Sequence, residues 1–170
     1  MNYNTLTIWQ ALETELSFHA PISSEFFTRL AEVDLIDHVD PEIDVRLEAG
    51  PDSEHKTSVR GTIKATVHLI CQRCLEPFAY PIVLDFRWIP VQSEYEADKI
   101  DEDEVVLIIE EDDPQELLYH LEDEILLALP VIPYHDEETY CAGREFIKNQ
   151  KVIEEERKFP FAGLADLLEK

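Results

Sequence analysis

The sequence predicts one α+β domain spanning residues 1–170, in which an antiparallel β-sheet is covered by two or three helices. Three observations predict this fold class. Apolar and polar residues alternate in three runs between residues 43 and 88, as they do in strands with one buried face. Around residue 121 the apolar residues recur at three- and four-residue spacing, which indicates a helix. Apolar residues make up 45% of the chain, enough for a core, and the pattern leaves open whether the sheet curls toward a barrel.

The first third of the chain opens with residues 1–20, a lead-in to which the pattern assigns no function. A helix is then predicted from Ser23 or Ser24, either of which can cap its first turn. Its apolar stripe consists of Phe26, Phe27, Leu30 and Val33. We expect this helix to pack on the sheet.

Three strands are predicted to follow, at residues 43–47, 59–69 and 78–88. Pro81 lies within the third run, which places it at a sheet edge or a bulge. His68 faces away from the apolar row of its strand and is expected to be an exposed strand residue rather than a ligand. The motif CQRC, residues 71–74, falls in the hairpin connection between the second and third strands.

An acidic segment separates the sheet from the main helix. Residues 93–104 contain seven acidic residues and no apolar period, which predicts a solvated loop. Val105 to Ile109 is a short continuous apolar run, which is typical of a buried strand.

The helix near residue 121 has a cap at Asp113 and a proline at its first position. Its apolar face consists of Leu117, Leu118, Leu121, Ile125, Ala128 and Leu129. The acidic residues 122–124 are expected mostly on the opposite, solvated face. Pro130 and Pro133 end the helix and force an extended exit that carries His135 and Cys141.

The C-terminal part of the chain has two predicted segments. Residues 142–158 are polar and are interpreted as a tether, with a solvated helix as the alternative for residues 148–158. Residues 159–170 have the pattern of a short amphipathic helix, which we expect to dock on the domain's own core. The other interpretation is that this segment is a peptide for a partner's groove.

The cysteines predict a metal site. Cys71 and Cys74 have the two-residue spacer that lets both thiolates bind one tetrahedral zinc ion. Cys141 supplies a third sulfur and His135 is the nearest imidazole, so one structural zinc with a Cys₃His ligand set is chemically complete. The alternative is three reduced thiols packed in the interior.

The charge of the chain restricts its partners. Lys and Arg number 14 against 38 Asp and Glu, which gives a formal net charge of −24. Such a surface repels phosphate, so basic proteins are the expected partners. Arg73, Lys64 and Arg87 form only a sparse candidate patch for nucleic-acid contact.

The search for catalytic and targeting motifs gives negative predictions. The sequence contains no Gly-rich phosphate loop, GxSxG elbow or HExxH helix, so we expect no enzymatic activity. No apolar run has the length of a membrane span and no leader pattern opens the chain, so we expect a cytoplasmic protein.

Three separated motifs resemble one known family. They are CQRCLEPF at residues 71–78, EDEILLALPVIPYHDEETYC at 122–141 and PFAGLADLLEK at 160–170. In this order they are similar to the bacterial YceD family, whose members are called large ribosomal RNA subunit accumulation proteins. The resemblance extends from the mid-twenties to Lys170 and implies a role in synthesis, processing or stability of large-subunit (23S) ribosomal RNA. It supplies no catalytic residue.

Resemblance and charge together predict a non-enzymatic ribosome-biogenesis factor. We expect it to bind a basic ribosomal protein or assembly factor, because 38 acidic side chains favour positively charged partners. The alternative is a protein that binds RNA directly through a zinc-knuckle-like CQRC turn.

Overall fold

The structure, a computed structural model, describes residues 7–51, 56–109, 113–136 and 140–149. Its strands β1 to β6 span Ser17–Ser23, Ile36–Val39, Glu42–Pro51, Thr57–Ile70, Pro77–Val91 and Val106–Ile108. Its helices α1 to α4 span Ile8–Glu13, Glu94–Ala97, Pro114–Ala128 and Ala142–Asn149. No helix within these ranges combines the length and hydrophobicity that a bilayer span requires.

The six strands form one sheet, and the predicted α+β class is confirmed. The main strand order is β1-β3-β4-β5-β6, and β2 pairs with β4 beyond the end of β3. All pairs are antiparallel except β5 and β6, which run parallel, so the sheet is mixed. Among the described strands β1 and β6 lie at opposite ends of this order, so the sheet is open and does not close into a barrel.

The predicted alternation in the strands is confirmed by burial. One face of the sheet is apolar and packs against α1 and α3, and the other face is polar. The largest buried side chain of the apolar face is Trp88, whose Nε1 donates a hydrogen bond of 2.7 Å to the Glu124 carboxylate on α3. Pro81 lies where β5 pairs only with β4 among the described strands, as expected of a proline at an edge.

The helix predicted from Ser23 or Ser24 to Val33 is wrong. The structure has two single 3₁₀ turns, Ser24–Phe26 and Leu30–Glu32, instead of one α-helix. Tertiary contacts override the local pattern here, because the Leu30 amide donates to the Glu122 carboxylate at 2.9 Å rather than to a carbonyl one turn back. The first twenty residues contain the helix that the pattern missed, α1, which Thr7 caps by accepting from the Gln10 amide.

The acidic segment is exposed, but it is not entirely irregular. Residues 93–104 contain no buried residue, and they include the single helical turn α2. The strand predicted at 105–109 exists as β6, although it is less buried than predicted. Ile108 is 42% exposed, because β6 is the last strand of the described sheet, and Val105, just before β6, is 54% exposed.

The predicted helix near residue 121 is confirmed as α3. The Asp113 carboxylate accepts from the Gln115 amide at 2.9 Å, and Leu117, Leu121 and Ile125 are buried. The expectation of a solvated acidic face is wrong for Glu122, which is only 2% exposed. Its carboxylate accepts from the Leu30 amide and from Arg29 Nε, both at 2.9 Å.

The C-terminal predictions are only partly covered by the structure. Residues 142–149 of the predicted tether form helix α4. The rest of the tether and the segment 159–170 lie outside the described residues.

Candidate metal centre

The CQRC motif forms a tight turn between β4 and β5. Its ends are joined by the Cys71 amide, which donates to the Glu76 carbonyl at 3.0 Å, and by the Leu75 amide, which donates to the Cys71 carbonyl at 2.8 Å. Leu75 has a φ of 62°, the left-handed conformation that turns usually reserve for glycine. This geometry turns both cysteine side chains toward the same end of the sheet.

The chain leaving α3 meets this turn from the other side. Leu129 has extended backbone angles ahead of Pro130, and the Pro133 carbonyl accepts from the Gln72 amide at 2.9 Å. His135 follows, with its ring 4.9 Å from that of Phe78 and its carbonyl accepting from Arg144 at 2.9 Å. The two halves of the predicted site are therefore held together by bonds that do not involve any ligand atom.

The four predicted ligands converge. Cys71 Sγ lies 4.0 Å from Cys141 Sγ, and Cys74 Sγ lies 3.6 Å from His135 Nδ1. All four ligand atoms lie within 4.8 Å of one another. In a tetrahedron, zinc–sulfur bonds of about 2.3 Å and zinc–nitrogen bonds of about 2.0 Å place two sulfurs about 3.8 Å apart and a sulfur and a nitrogen about 3.5 Å apart. The observed spacings fit a tetrahedral ion with small adjustments.

Backbone hydrogen bonds prepare one of the thiols, that of Cys71, for a cation. Burial raises the pKa of Cys71, but amide hydrogen bonds from Arg73, Cys74 and His135 outweigh it and lower the pKa to about 6. A hydrogen bond from the Glu76 amide lowers the pKa of Cys74. Desolvation and the neighbouring sulfurs of Cys71 and Cys141 raise this pKa by more, so that it lies above its ordinary value. The Cys71 sulfur therefore ionises more readily than the Cys74 sulfur, whose proton a bound cation would displace.

The donor set defines what this centre can do. Three sulfurs and one imidazole fill all four positions of a tetrahedral zinc ion, so no position remains for water or substrate. Cys71 and Cys141 are 0% and 2% exposed, which further excludes solvent. The arrangement therefore suits a structural ion that ties the turn to the end of α3 and the start of α4.

The residues of this centre lie within a stretch that matches a known family. The family model described as "Large ribosomal RNA subunit accumulation protein YceD" matches residues 59–168, which include all four candidate ligands. The chain belongs to the YceD family. A YceD protein of Haemophilus influenzae, named large ribosomal RNA subunit accumulation protein YceD, is 32% identical over 122 residues, which cover 70% of each chain. No solved structure matches this chain.

The predicted nucleic-acid residues do not form one patch in this YceD family member. Lys64 and Arg87 lie on the polar face of the sheet, where Arg87 pairs with Glu104. Arg73 lies on the CQRC turn instead, with its guanidinium 4.3 Å from the centre of the Tyr134 ring. The polar face also presents two arginines that the sequence analysis did not single out, Arg46 and Arg60. The alternation that identified the buried strand residues also places Arg46 and Arg60 on the opposite face, so the sequence was sufficient to find these two arginines.

Proposed function

We propose that this protein is a non-enzymatic, cytoplasmic assembly factor that supports the synthesis, processing or stability of 23S ribosomal RNA by binding a basic protein. Membership of the YceD family supports the link to large-subunit RNA, since the family description names its accumulation. The observation that carries the proposed mechanism is a net charge of −24 on a chain with an extensive core. Opposite charge accelerates association with Lys- and Arg-rich proteins and disfavours contact with phosphate.

The acidic segment 93–104 is the part of the surface that best fits such a partner. Six of its seven acidic side chains belong to exposed residues, and the segment stands beside the exposed edge of the sheet. Tyr95 is 72% exposed and Val105 54% exposed, which adds apolar contact area among the charges. A basic protein could therefore gain both Coulomb attraction and apolar burial at this edge.

A metal-stabilised turn serves this function indirectly. A zinc ion bound by Cys71, Cys74, His135 and Cys141 would fix the end of α3 and the start of α4 against the sheet. The ion would contribute folding free energy and no reaction step.

Affinity capture from cells tests this proposal. The tagged full chain is expected to retain a basic ribosomal or assembly protein before and after ribonuclease treatment. A variant with Asp98→Asn, Glu102→Gln and Asp103→Asn should retain about tenfold less of it, because opposite charge at the interface is lost. The control variant removes the same number of exposed charges elsewhere, through Glu13→Gln, Glu32→Gln and Glu42→Gln. Loss of every partner on RNA digestion, or equal loss in both variants, would contradict the proposal.

Direct RNA binding is the second candidate function, and the polar face of the sheet favours it. Arg46, Arg60, Lys64 and Arg87 project from this face on three adjacent strands. No ion pair joins the side chain of Arg46 or Lys64 to any residue that the structure describes, which leaves two cations for phosphate. Asp44, Glu48 and Asp85 share the face and offset much of this charge.

Binding of purified protein to large-subunit precursor RNA separates the two candidates. Direct binding predicts a strong salt dependence and a loss of affinity on Arg46→Ala with Lys64→Ala, or on Cys74→Ser if the turn makes the contact. The proposed function predicts no measurable affinity at physiological salt without the protein partner.

A further inference from the structure

A second group of metal-ligating side chains lies where β2 pairs with β4. His38 and His68 are directly opposite each other across these two strands. Their position depends on an irregularity, because the register shifts between Ile36 and His38. Without this bulge Asp37, rather than His38, would lie opposite His68. Bulges of this kind re-aim side chains and are frequent beside functional sites.

The two imidazoles form a closely spaced pair with a carboxylate beside each ring. Their ring centroids are 3.9 Å apart and their planes differ by 13°. His68 Nε2 lies 3.1 Å from Asp40 Oδ1, and His38 Nδ1 lies 2.7 Å from Asp37 Oδ2. The Asp40 backbone is itself held by a 3.0 Å hydrogen bond from its amide to the Thr66 carbonyl.

We propose that His38, His68 and Asp40 form a second metal site, which binds a divalent transition-metal ion such as Zn²⁺ at the surface. One ligand atom from each of these three residues lies within 4.8 Å of the other two. The site is separate from the Cys₃His centre, with which it shares no residue.

The ligand types determine which ions this site selects. Two neutral imidazole nitrogens and one carboxylate oxygen suit zinc and its neighbours in the first transition row, whereas magnesium and calcium prefer oxygen ligands alone. The ion would take the place of the proton shared by His68 Nε2 and Asp40. Asp37 would accept a hydrogen bond from His38 Nδ1 and so leave His38 Nε2 as the ligand, a carboxylate–histidine–metal arrangement.

Binding requires one local adjustment. A nitrogen lone pair lies in the plane of its ring, so two nearly parallel rings cannot both direct a lone pair at one ion. The His38 side chain is 56% exposed and has room to tilt out of the stack. Three protein ligands leave at least one coordination position for water, so this ion should exchange faster than one in the buried cysteine centre.

Calorimetric titration of the full-length protein with Zn²⁺ tests this inference. The protein is first given one equivalent of zinc and dialysed, so that the cysteine centre is filled. Further Zn²⁺ is expected to bind with a stoichiometry of one. Its affinity should fall about tenfold or more in His38→Ala, His68→Ala and Asp40→Asn. His19→Ala is the matched control, since His19 also pairs with an aspartate on the polar face, Asp44, but has no second imidazole beside it among the described residues.

A measurement on a cysteine variant keeps the two centres apart. In Cys74→Ser the histidine-dependent binding event should persist with unchanged affinity. Absence of a further binding event in the wild-type protein would overturn the inference. A further event that His38→Ala and His68→Ala leave unchanged would overturn it equally, since it would then arise from other carboxylates on this acidic surface.

Discussion

Gly143 lies so close to Arg73 that a β carbon at position 143 would stand 2.4 Å from the Arg73 carbonyl oxygen. The first turn of α4 therefore packs directly on the backbone of the CQRC turn. Two residues earlier, Cys141 faces Cys71. This close approach explains why a glycine stands two positions after the third cysteine, and it makes position 143 a sensitive test of the metal centre.

We expect Gly143→Ala to weaken zinc binding and to destabilise the fold by about 1–3 kcal/mol, the usual cost of an overpacked contact. The better helix propensity of alanine, worth about 1 kcal/mol, opposes this effect without cancelling it. Urea denaturation and a competitive zinc titration provide the measurements. Ala142→Ser, a change at the exposed neighbouring position, should alter stability by less than about 0.5 kcal/mol. Equal behaviour of the two variants would show that α4 moves freely away from the turn.

Leu75 stores backbone strain in the CQRC turn. Its φ of 62° is unfavourable for a residue with a β carbon, and its side chain is 72% exposed, so little packing compensates. We expect Leu75→Gly to stabilise the protein by about 0.5–1 kcal/mol, since relief of a strain of about 1–2 kcal/mol exceeds the entropic cost of glycine.

The control for Leu75→Gly is Val83→Gly, because Val83 is similarly exposed, at 71%, but has ordinary strand conformation in β5. This substitution should destabilise the protein by about 1 kcal/mol, which is the opposite sign. Destabilisation by both substitutions in urea denaturation would mean that the turn does not hold residue 75 in the left-handed conformation.

Glu122 is the buried charge that joins α3 to the 3₁₀ turns. Its carboxylate accepts from Arg29 Nε and from the Leu30 amide, and Arg29 also donates to Asp123 and to the Tyr119 carbonyl. Removal of this carboxylate leaves the buried Leu30 amide without its acceptor, whereas the Arg29 guanidinium keeps Asp123 and the Tyr119 carbonyl. We expect Glu122→Ala to cost about 1–3 kcal/mol of unfolding free energy, the usual cost of a buried polar group left unsatisfied.

Asp123→Ala is the matched control for Glu122→Ala, because Asp123 contacts the same guanidinium but its side chain is 47% exposed. Exposed ion pairs contribute about 1 kcal/mol or less. Thermal and urea unfolding should therefore separate the two variants by several degrees in midpoint temperature. A similar loss for both would mean that Arg29, rather than the burial of Glu122, determines the stability of this contact.

Periodic patterns predicted the parts of the fold in which local preference and burial agree. The alternation from Val59 to Leu69 and the cap at Asp113 sufficed for β4 and α3, since each element buries one continuous face. The helix expected near Phe27 failed because the Leu30 amide is bound by a carboxylate 92 residues away, which no local pattern contains. The burial of Glu122 has the same long-range cause.

The metal centre, like the fold, was predictable from the sequence only in part. The spacing of Cys71 and Cys74 predicted half of the site, and the choice of His135 and Cys141 followed from ligand chemistry rather than from geometry. The structure supplies the convergence of all four ligand atoms. The pairing of His68 with His38 could not be predicted from the sequence. The two residues become adjacent only through a register shift in β2, which no sequence pattern indicates.

Zinc removal should have a large effect on the stability of this protein. The centre joins residues 70 positions apart, Cys71 and Cys141, and ties the β4–β5 turn to α4. We expect one zinc per chain to survive dialysis against a weak chelator. Stripping that ion should lower the unfolding midpoint by about 10 °C, because binding at a free zinc concentration of about a thousand times Kd contributes about 4 kcal/mol.

Cys141→Ser should have a similarly low midpoint that no longer responds to chelator, whereas His38→Ala should respond as the wild-type protein does. Cobalt substitution checks the ligand set, since a tetrahedral site with three thiolates gives intense thiolate-to-cobalt absorption that Cys141→Ser should reduce. A wild-type protein that contains no zinc and unfolds at the same temperature with and without chelator would reduce these cysteines to packed thiols.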